Sequence, residues 1–131
     1  MMYYLDTNTV IYFFKGMGKV TEHLLKQSPQ KVAIPAIVLY ELQVGIQKST
    51  LPTKRMQQLK ELAASIKIIP FVDEEAFHAA QLRVQLEVRG LSIGPIDNLI
   101  AGTALAHQAT LVTHNLEEFK RVKDLKIVDW Y

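Results

Sequence analysis

The segment Tyr3-Tyr4-Leu5-Asp6-Thr7-Asn8 indicates the architecture of the whole chain. A short apolar run ends in an acidic residue, and polar residues suited to a helix start follow it. This pattern predicts a first strand at Met2–Asp6 with Asp6 at its carboxyl end. Further along, short apolar runs alternate with longer segments of helical period, which is typical of an α/β domain with a mainly parallel sheet.

The remaining elements follow from apolar periodicity and from proline and glycine positions. We predict further strands at residues 32–34, 66–71, 110–113 and 126–128, the last of them at a sheet edge. We predict helices from Thr7 to about Gly16, at 20–27, from Pro35 past Glu41, at 53–65, from Asp73 to about Arg89, and from Pro95 onward. With no linker or repeat, residues 1–131 are expected to form a single domain.

Composition permits several functions and excludes a few. The 131 residues are 49% hydrophobic and 21% charged, with a net charge of +2, so a nucleic-acid partner is permitted but not indicated. The absence of cysteine excludes disulfides, thiolate metal sites and cysteine nucleophiles. We expect no signal peptide and no membrane segment, and therefore a cytoplasmic protein.

Three acidic residues stand in unusual places. Asp6 ends a strand, whereas Glu41 and Asp97 lie on otherwise apolar helical segments with no lysine or arginine three or four positions away. Because a buried, unpaired carboxylate is costly, such groups are usually protonated, paired or bound to a metal. Taken singly, Asp6 also suits a helix cap and Asp97 a first-turn aspartate, and these interpretations remain open.

The predicted topology is compatible with one shared site. Ligands of open α/β sheets bind beyond the carboxyl ends of the strands, and both Asp6 and Thr113 are predicted at such ends. Asp97 falls in the first turn of the helix that precedes the fourth strand. Carboxylates without a histidine or cysteine pattern favour Mg²⁺ or Mn²⁺, and an ion of this kind suits phosphodiester hydrolysis.

In these contexts the chain resembles the PIN-domain ribonucleases, in particular the VapC-type toxins of bacterial toxin–antitoxin pairs. Four motifs match in order, and the match runs from end to end. They are Tyr4–Asn8, Ile37–Gly45 around Glu41, Leu91–Ala101 around Asp97, and Thr110–Asn115 followed by Glu117-Glu118-Phe119. The closing residues Leu125–Trp130 are similar to family usage as well.

The resemblance implies an α/β/α sandwich and a Mg²⁺-dependent endoribonuclease, with Mn²⁺ as a substitute metal. It further implies a structured RNA substrate such as a tRNA, a homodimer, and a small VapB-type antitoxin whose tail blocks the active-site groove. RNA rather than DNA, the toxin role and the antitoxin rest on this resemblance alone.

When the family motifs are aligned with this sequence, Asp6, Glu41 and Asp97 match the three acidic positions that hold the metal, and the resemblance implies that they are the catalytic acids. Asn8 and Thr113 match polar residues that flank the site. Many PIN domains have an aspartate near the position of Asn115, which brings no charge. Glu118 is a candidate for the missing carboxylate. Since Arg121 stands three residues further on, however, we expect an ordinary salt bridge for Glu118 instead.

Two further groups of side chains are candidates for RNA contact. The cations are scattered, as expected of solvated surface, and comprise Lys48, Lys54, Arg55, Lys120, Arg121, Lys123 and Lys126. The aromatic residues Tyr12, Phe13 and Phe14 could stack a base, although core or antitoxin-facing packing is the simpler expectation. His114 lies near the predicted site but has no second histidine at metal-binding spacing, so we expect no role for it.

Three other functions share some features with this sequence. A haloacid-dehalogenase-like phosphatase also opens with an apolar strand and an aspartate, but it needs a second aspartate where this chain has Asn8. Gly90 and Gly94 form no phosphate-binding glycine loop, which disfavours a nucleotide-binding domain. A catalytically silent PIN-like module that only binds a partner remains the non-enzymatic alternative, although all three acids are present.

Overall fold

A computed structural model describes all residues of the chain, 1–131, and its centre is a five-stranded parallel sheet. The strands are β1 (Tyr3–Leu5), β2 (Val32–Pro35), β3 (Lys67–Ile69), β4 (Thr110–Val112) and β5 (Lys126–Val128). Their order across the sheet is β3-β2-β1-β4-β5, and every neighbouring pair is parallel. The chain therefore builds outward from β1 to one edge and then returns to the other side of β1.

Seven α-helices cover the sheet. They are α1 (Thr7–Lys15), α2 (Val20–Leu25), α3 (Ala36–Lys48), α4 (Pro52–Ser65), α5 (Asp73–Val88), α6 (Pro95–Ala106) and α7 (Leu116–Phe119). With right-handed crossovers, this strand order places α1–α4 on one face of the sheet and α5–α7 on the other. In agreement, α3 contacts α1 and α4 whereas α5 contacts α6, and α3 and α6 also contact each other. The predicted α/β/α sandwich is confirmed, with a sheet that is parallel throughout.

The observed elements match the predicted order and type, with differences at their ends. Strand β5 has the predicted bounds and lies at an edge of the sheet, and Pro95 and Asp73 open helices as expected. The strands β1 and β3 are shorter than predicted, because parallel pairing ends before the apolar runs do. The short α7 and a 3-10 turn at Pro29–Lys31 were not predicted, because they are too brief to show periodicity.

The core lies around the three central strands. Every residue of β2 and β4 is buried, as expected for strands covered on both faces. The closing segment is anchored by Trp130, which is 5% exposed and packs its ring against Tyr3 at 5.1 Å and His23 at 5.9 Å. None of the helices combines the length and the apolar character that crossing a bilayer requires.

The helices α5 and α6 approach each other at Gly102. A Cβ at this position would lie only 2.5 Å from both the Cα and the Cβ of Ala79. Beside this contact, the Asn98 side chain donates a hydrogen bond to the backbone carbonyl of Ala79 at 2.8 Å. The absence of a side chain at Gly102 thus allows α5 to pack against the helix that carries Asp97.

Substituting two helical glycines should shift stability in opposite directions. Gly102→Ala is expected to lower the free energy of unfolding by about 1–3 kcal/mol through overpacking. Gly45→Ala, inside α3 with open space around its Cβ position, should raise it by roughly 0.5–1 kcal/mol through helix propensity. Urea denaturation of both variants measures this, and a Gly102→Ala variant as stable as the parent chain would disprove the close approach.

Candidate metal-dependent active site

The site begins where β1 and β4 end side by side. The Asp6 N–H continues the strand pairing by donating to the Val112 carbonyl at 2.9 Å. The Thr113 hydroxyl, which is fully buried, donates to Asp6 Oδ2 at 2.8 Å. Asp6 itself is only 5% exposed. These bonds bring together Asp6 and Thr113, as predicted for residues at the ends of neighbouring parallel strands.

Asp6 also stands at the N-cap position of α1, but its capping contact is unusual. Its Oδ1 accepts from the N–H of Thr7 at 2.8 Å, and Thr7 is the first residue of the helix. A cap side chain ordinarily satisfies the second or third helical N–H. Each carboxylate oxygen has a lone pair left after these bonds, so capping does not use up the acceptor capacity of Asp6.

Glu41 reaches the site from the middle of α3. Its Oε1 accepts a hydrogen bond from the Thr7 hydroxyl at 2.6 Å, which ties α3 to the start of α1. Glu41 is half-buried rather than buried, because Val44 and Gly45 one turn later are exposed to solvent. The expectation of a fully apolar surrounding was therefore too strong. The residue Thr7 was missed as a site residue, although its place directly after Asp6 was available as a signal.

Asp97 and Glu118 face each other across Gly94. A Cβ at Gly94 would lie 3.5 Å from Asp97 Oδ2 and 3.6 Å from Glu118 Oε1. The Gly94 N–H donates to Glu118 Oε1 at 2.7 Å, and Asn115 Nδ2 donates to Glu118 Oε2 at 2.8 Å. These bonds hold the Glu118 carboxylate beside Asp97, at the start of α6.

The expected salt bridge between Glu118 and Arg121 is not formed. Arg121 Nη1 donates instead to the Ser92 carbonyl at 3.0 Å. The predicted salt bridge was therefore wrong, and the backbone of Gly94 and the amide of Asn115 hold the Glu118 carboxylate instead. Asn115 thereby serves as a donor to Glu118 rather than as a substitute acid.

Burial and neighbouring negative charges raise the pKa of two of the carboxylates, Asp6 and Asp97. The pKa of Asp97 is raised to about 7, chiefly by burial. The negative charge of Glu118 and a hydrogen bond between Glu118 and Asp97 raise it further, as do the charges of Asp6 and Glu41. Burial also raises the pKa of Asp6, against the lowering effect of the bonds from Thr113 and Thr7. Burial opposes ionisation of Glu118, but bonds from Gly94, Asp97 and Asn115, together with the charge of Arg121, lower its pKa overall.

Glu75 shows how this chain treats a buried carboxylate of structural type. It is 3% exposed, yet its oxygens accept from the Val72 N–H at 2.8 Å and contact His107 Nε2 at 2.7 Å. The bond from Val72 is the leading reason that the pKa of Glu75 lies below its ordinary value. In contrast, Asp6, Glu41, Asp97 and Glu118 take part in none of the salt bridges of the structure.

The other predicted residues divide into near and distant groups. Asn8 lies exposed on the second position of α1, next to the site, and its side chain makes no hydrogen bond. Among the candidate cations, Arg55 is engaged by the Phe14 carbonyl and Gln58. Lys126 begins β5, and it therefore lies at the opposite end of the strands. These two cations have no contact with the acids.

The donor set fits a hard divalent cation. Its four members offer carboxylate oxygens that form no salt bridge, and oxygen ligands are what Mg²⁺ and Mn²⁺ prefer. No three acidic or histidine side chains stand as a preformed metal cage, however. Magnesium is ordinarily held by one or two carboxylates and several waters, so a complete protein cage is not required.

An acidic, oxygen-donor site at the switch point of a parallel α/β sheet defines the general class of metal-dependent phosphoryl-transfer folds. Within that class, residues 3–125 match the model of the PIN domain. The chain belongs to the PIN-domain family.

Relatives and solved structures with high coverage agree with this assignment. Ribonuclease VapC2 of Rickettsia felis is 39% identical over 99% of this chain and 98% of its own length. The tRNA(fMet)-specific endonuclease VapC of Salmonella typhimurium is 30% identical with the same coverage. The promoter-DNA-bound VapBC2 structure from Rickettsia felis superposes with a TM-score of 0.92 at 38% identity, covering 100% of both chains. The DNA-bound VapBC structure from Salmonella typhimurium superposes with a TM-score of 0.93 at 30% identity, covering 100% of this chain and 99% of that one.

The raised pKa of Asp97, caused by burial and by its acidic neighbours, predicts that Asp97→Asn stabilises the metal-free protein. Folded Asp97 keeps its proton up to about pH 7, whereas the unfolded chain releases it near its ordinary value of 3.8. The folded state thus binds more protons in this window, so ionisation of Asp97 lowers the free energy of unfolding as pH rises. At pH 8, Asp97→Asn should raise the free energy of unfolding by roughly 0.5–1 kcal/mol, whereas at pH 4 it should change this free energy very little.

Thermal unfolding in EDTA at pH 4, 6 and 8 measures this effect. Asp124→Asn is the matched control, because Asp124 is exposed and makes no salt bridge. A gain of the same size at all three pH values, or an equal gain in the control, would argue against ionisation of Asp97 as the cause.

Proposed function

We propose that this protein is a Mg²⁺-dependent endoribonuclease of the toxin type, inhibited by a cognate antitoxin. The observation that carries the proposal is the convergence of Asp6, Glu41, Asp97 and Glu118 beyond the carboxyl ends of β1 and β4, with no salt bridge to any of them. Such a cluster destabilises the free protein and becomes favourable when a cation is bound.

Asp6, Glu41 and Asp97 would hold the cation, and Glu118 would complete the acidic set. When bound, a divalent cation lowers the pKa of a water molecule and neutralises charge on the phosphate and the leaving oxygen. The remaining work falls to neighbouring donors. Thr113 orients Asp6 and Thr7 orients Glu41, while Gly94 and Asn115 hold Glu118. Supporting residues of this kind fix the orientation of ligand carboxylates.

Asp97 is the group whose protonation should respond to the cation. At neutral pH it carries a proton for part of the time, because its pKa is raised to about 7. Ligand carboxylates must be ionised, so binding of a cation releases this proton and depends on pH. Asn8, exposed on α1 and free of other bonds, is placed to donate to or accept from a substrate phosphate or a water.

The substrate and the partner follow from the relatives. Proteins named ribonuclease VapC and tRNA(fMet)-specific endonuclease VapC align along nearly the whole chain, which supports a structured RNA, a tRNA in particular, as the substrate. Structures of VapBC complexes superpose closely, which supports a VapB-type antitoxin as the partner. The homodimer remains an expectation from the family resemblance. A nuclease that acts on tRNA would work in the cytoplasm, where its substrate is found.

Two rivals remain distinguishable from this proposal. A catalytically silent PIN-like module would bind its partner but leave RNA intact. A haloacid-dehalogenase-like phosphatase would release phosphate from small monoesters, but the second residue of its aspartate pair is replaced here by Asn8. The structure offers no compensating carboxylate on α1, since its first turn contains no acidic residue.

Cleavage of RNA should require both Mg²⁺ and Asp6. Asp6→Asn keeps an acceptor for Thr7 but removes a charged ligand, so cleavage of total cellular RNA should fall by roughly 100-fold or more. The measurement is the appearance of discrete fragments with Mg²⁺ and their loss with EDTA, beside Asp124→Asn as a control that retains activity. Folded, antitoxin-free protein that leaves RNA intact with Mg²⁺ would refute the nuclease and favour the silent module.

Glu118 should contribute to cation binding, whereas its neighbour Glu117 should not. Glu118→Gln can still accept from the Gly94 N–H, so the fold is retained while one negative charge is lost. We expect a decrease of roughly 10- to 100-fold in Mg²⁺ affinity, measured by the rise of the melting temperature with Mg²⁺ concentration. Glu117→Gln is the control, because Glu117 has an 88% exposed side chain paired with Lys120. Equal effects of the two substitutions would exclude a specific role for Glu118.

A further inference from the structure

A second, non-acidic cluster lies beside the acids and takes no part in the proposed metal site. It consists of Tyr12 on α1, His114 after β4, and Tyr131 at the end of the sequence, and is called here the aromatic cluster. The rings of His114 and Tyr131 are stacked, with centroids 4.4 Å apart and planes at 27°. Tyr12 meets both of them edge-on, at 5.7 Å and 4.9 Å.

One carboxylate sets the geometry of this stack. Asp129 Oδ2 contacts His114 Nδ1 at 2.8 Å, and Asp129 Oδ1 accepts from the Tyr131 N–H at 2.9 Å. Two oxygens of one side chain thus position both stacked residues. The Tyr131 carbonyl accepts from the Lys19 N–H at 2.6 Å, which holds the end of the sequence against the loop between α1 and α2.

Gly18 makes room for Tyr131. It has a positive φ of 61°, and a Cβ there would lie 2.7 Å from the Tyr131 carbonyl oxygen and 2.8 Å from its ring. Tyr131 therefore has Gly18 on one side and the imidazole of His114 on the other. The side chain of His114 is nevertheless 45% exposed, so part of its surface is open to solvent.

The aromatic cluster adjoins the acidic site directly. His114 stands between Thr113, which bonds Asp6, and Asn115, which bonds Glu118. Tyr12 follows Asn8 by four residues and so lies on the same face of α1, about 6 Å further along the helix axis. A nucleotide whose phosphate reached the acids would place its neighbouring base within reach of these rings.

The cluster differs from the core aromatics of this chain. Trp130 is buried at 5% exposure, whereas Tyr131 is 41% exposed and His114 more so. Burial of apolar area therefore explains little of its arrangement. An exposed aromatic stack with a fixed ring geometry offers a surface on which an unpaired base can stack, since every base has a π face.

We propose that the aromatic cluster is a stacking subsite for one unpaired nucleobase next to the phosphate held at the acidic site, with His114 providing the contact face. This inference rests on the proposed nuclease function, and it assigns His114 a role in substrate binding that the sequence analysis did not expect. The chemistry selects single-stranded or flipped-out nucleotides, because a base inside a helix has no free face.

The test uses a 12-nucleotide oligouridylate that carries one 2-aminopurine in its middle, whose fluorescence is quenched when it stacks. Binding is measured with Ca²⁺ in place of Mg²⁺, to limit cleavage. We expect quenching by the unaltered protein, and a loss of quenching with roughly 5- to 100-fold weaker binding in His114→Ala. His114→Phe should retain both, because it keeps the ring while losing the bond to Asp129.

His78→Ala is the matched control. His78 also adjoins an aromatic ring, that of Phe77 at 5.4 Å. It shares a pocket with Gln108 and Lys126, which precede or begin β4 and β5, so it lies at the opposite end of the strands. Melting temperatures of all variants establish that they are folded. Quenching that is absent in the unaltered protein, or unchanged in His114→Ala, would overturn the inference and leave this surface to a protein partner.

RNA cleavage with Mg²⁺ separates this inference from the nuclease proposal. In His114→Ala we expect a higher KM with a nearly unchanged kcat, since a stacking residue binds substrate without taking part in the chemistry. Cleavage with the same KM as the unaltered protein would reject the subsite and leave the nuclease standing. Absence of cleavage by the unaltered protein would reject the nuclease, and the fluorescence result would still decide whether an unpaired base is bound.

Discussion

Electrostatic repulsion among four carboxylates is the constraint around which this end of the molecule is organised. Asp6, Glu41, Asp97 and Glu118 come from four different elements, and no lysine or arginine forms a salt bridge with any of them. Their cost is visible in the pKa of Asp97, which burial and its acidic neighbours raise to about 7. The remaining packing of the sheet and helices must offset this cost when no cation is present.

Neutral hydrogen-bond donors, rather than cations, hold the acids in place. Hydroxyls of Thr113 and Thr7 and the backbone N–H of Gly94 each fix one carboxylate with a single short bond. A lysine or arginine would stabilise the same carboxylates more strongly but would compete with a metal ion for them. Glu75, with its backbone donor and its histidine partner, shows that the chain does pair a buried acid where no ligand is needed.

Much of the fold could be predicted because its signals are local. Apolar runs ended by Asp6 or Thr113, and prolines at helix starts, specify strands and helices through backbone geometry, and parallel strands then bring their carboxyl ends together. The short α7 escaped prediction because four residues are too few for a period. Whether Asp6, Glu41 and Asp97 act in catalysis remains a prediction, since geometry places them without testing them.

The site details that were missed depend on tertiary contacts. The spacing of Glu118 and Arg121 suggested a salt bridge. Arg121 donates instead to the Ser92 carbonyl, and Glu118 accepts from the Gly94 N–H, 24 residues away in sequence. A backbone donor such as the Gly94 N–H cannot be recognised from the type of residue that carries it. His114 was judged by its metal-binding spacing alone, whereas its stacking partner Tyr131 and its anchor Asp129 become apparent only once β5 is paired with β4.

The central position of β1 has a consequence for synthesis of the chain. β1 pairs with β4, which is synthesised more than a hundred residues later. Asp6 can accept the hydrogen bond from Thr113 only after that part of the chain has been made. The acids therefore cannot be assembled on a nascent chain whose later part is still inside the ribosome, whatever the helices of the first half have done. The acidic site is therefore completed late, when nearly the whole chain has been made.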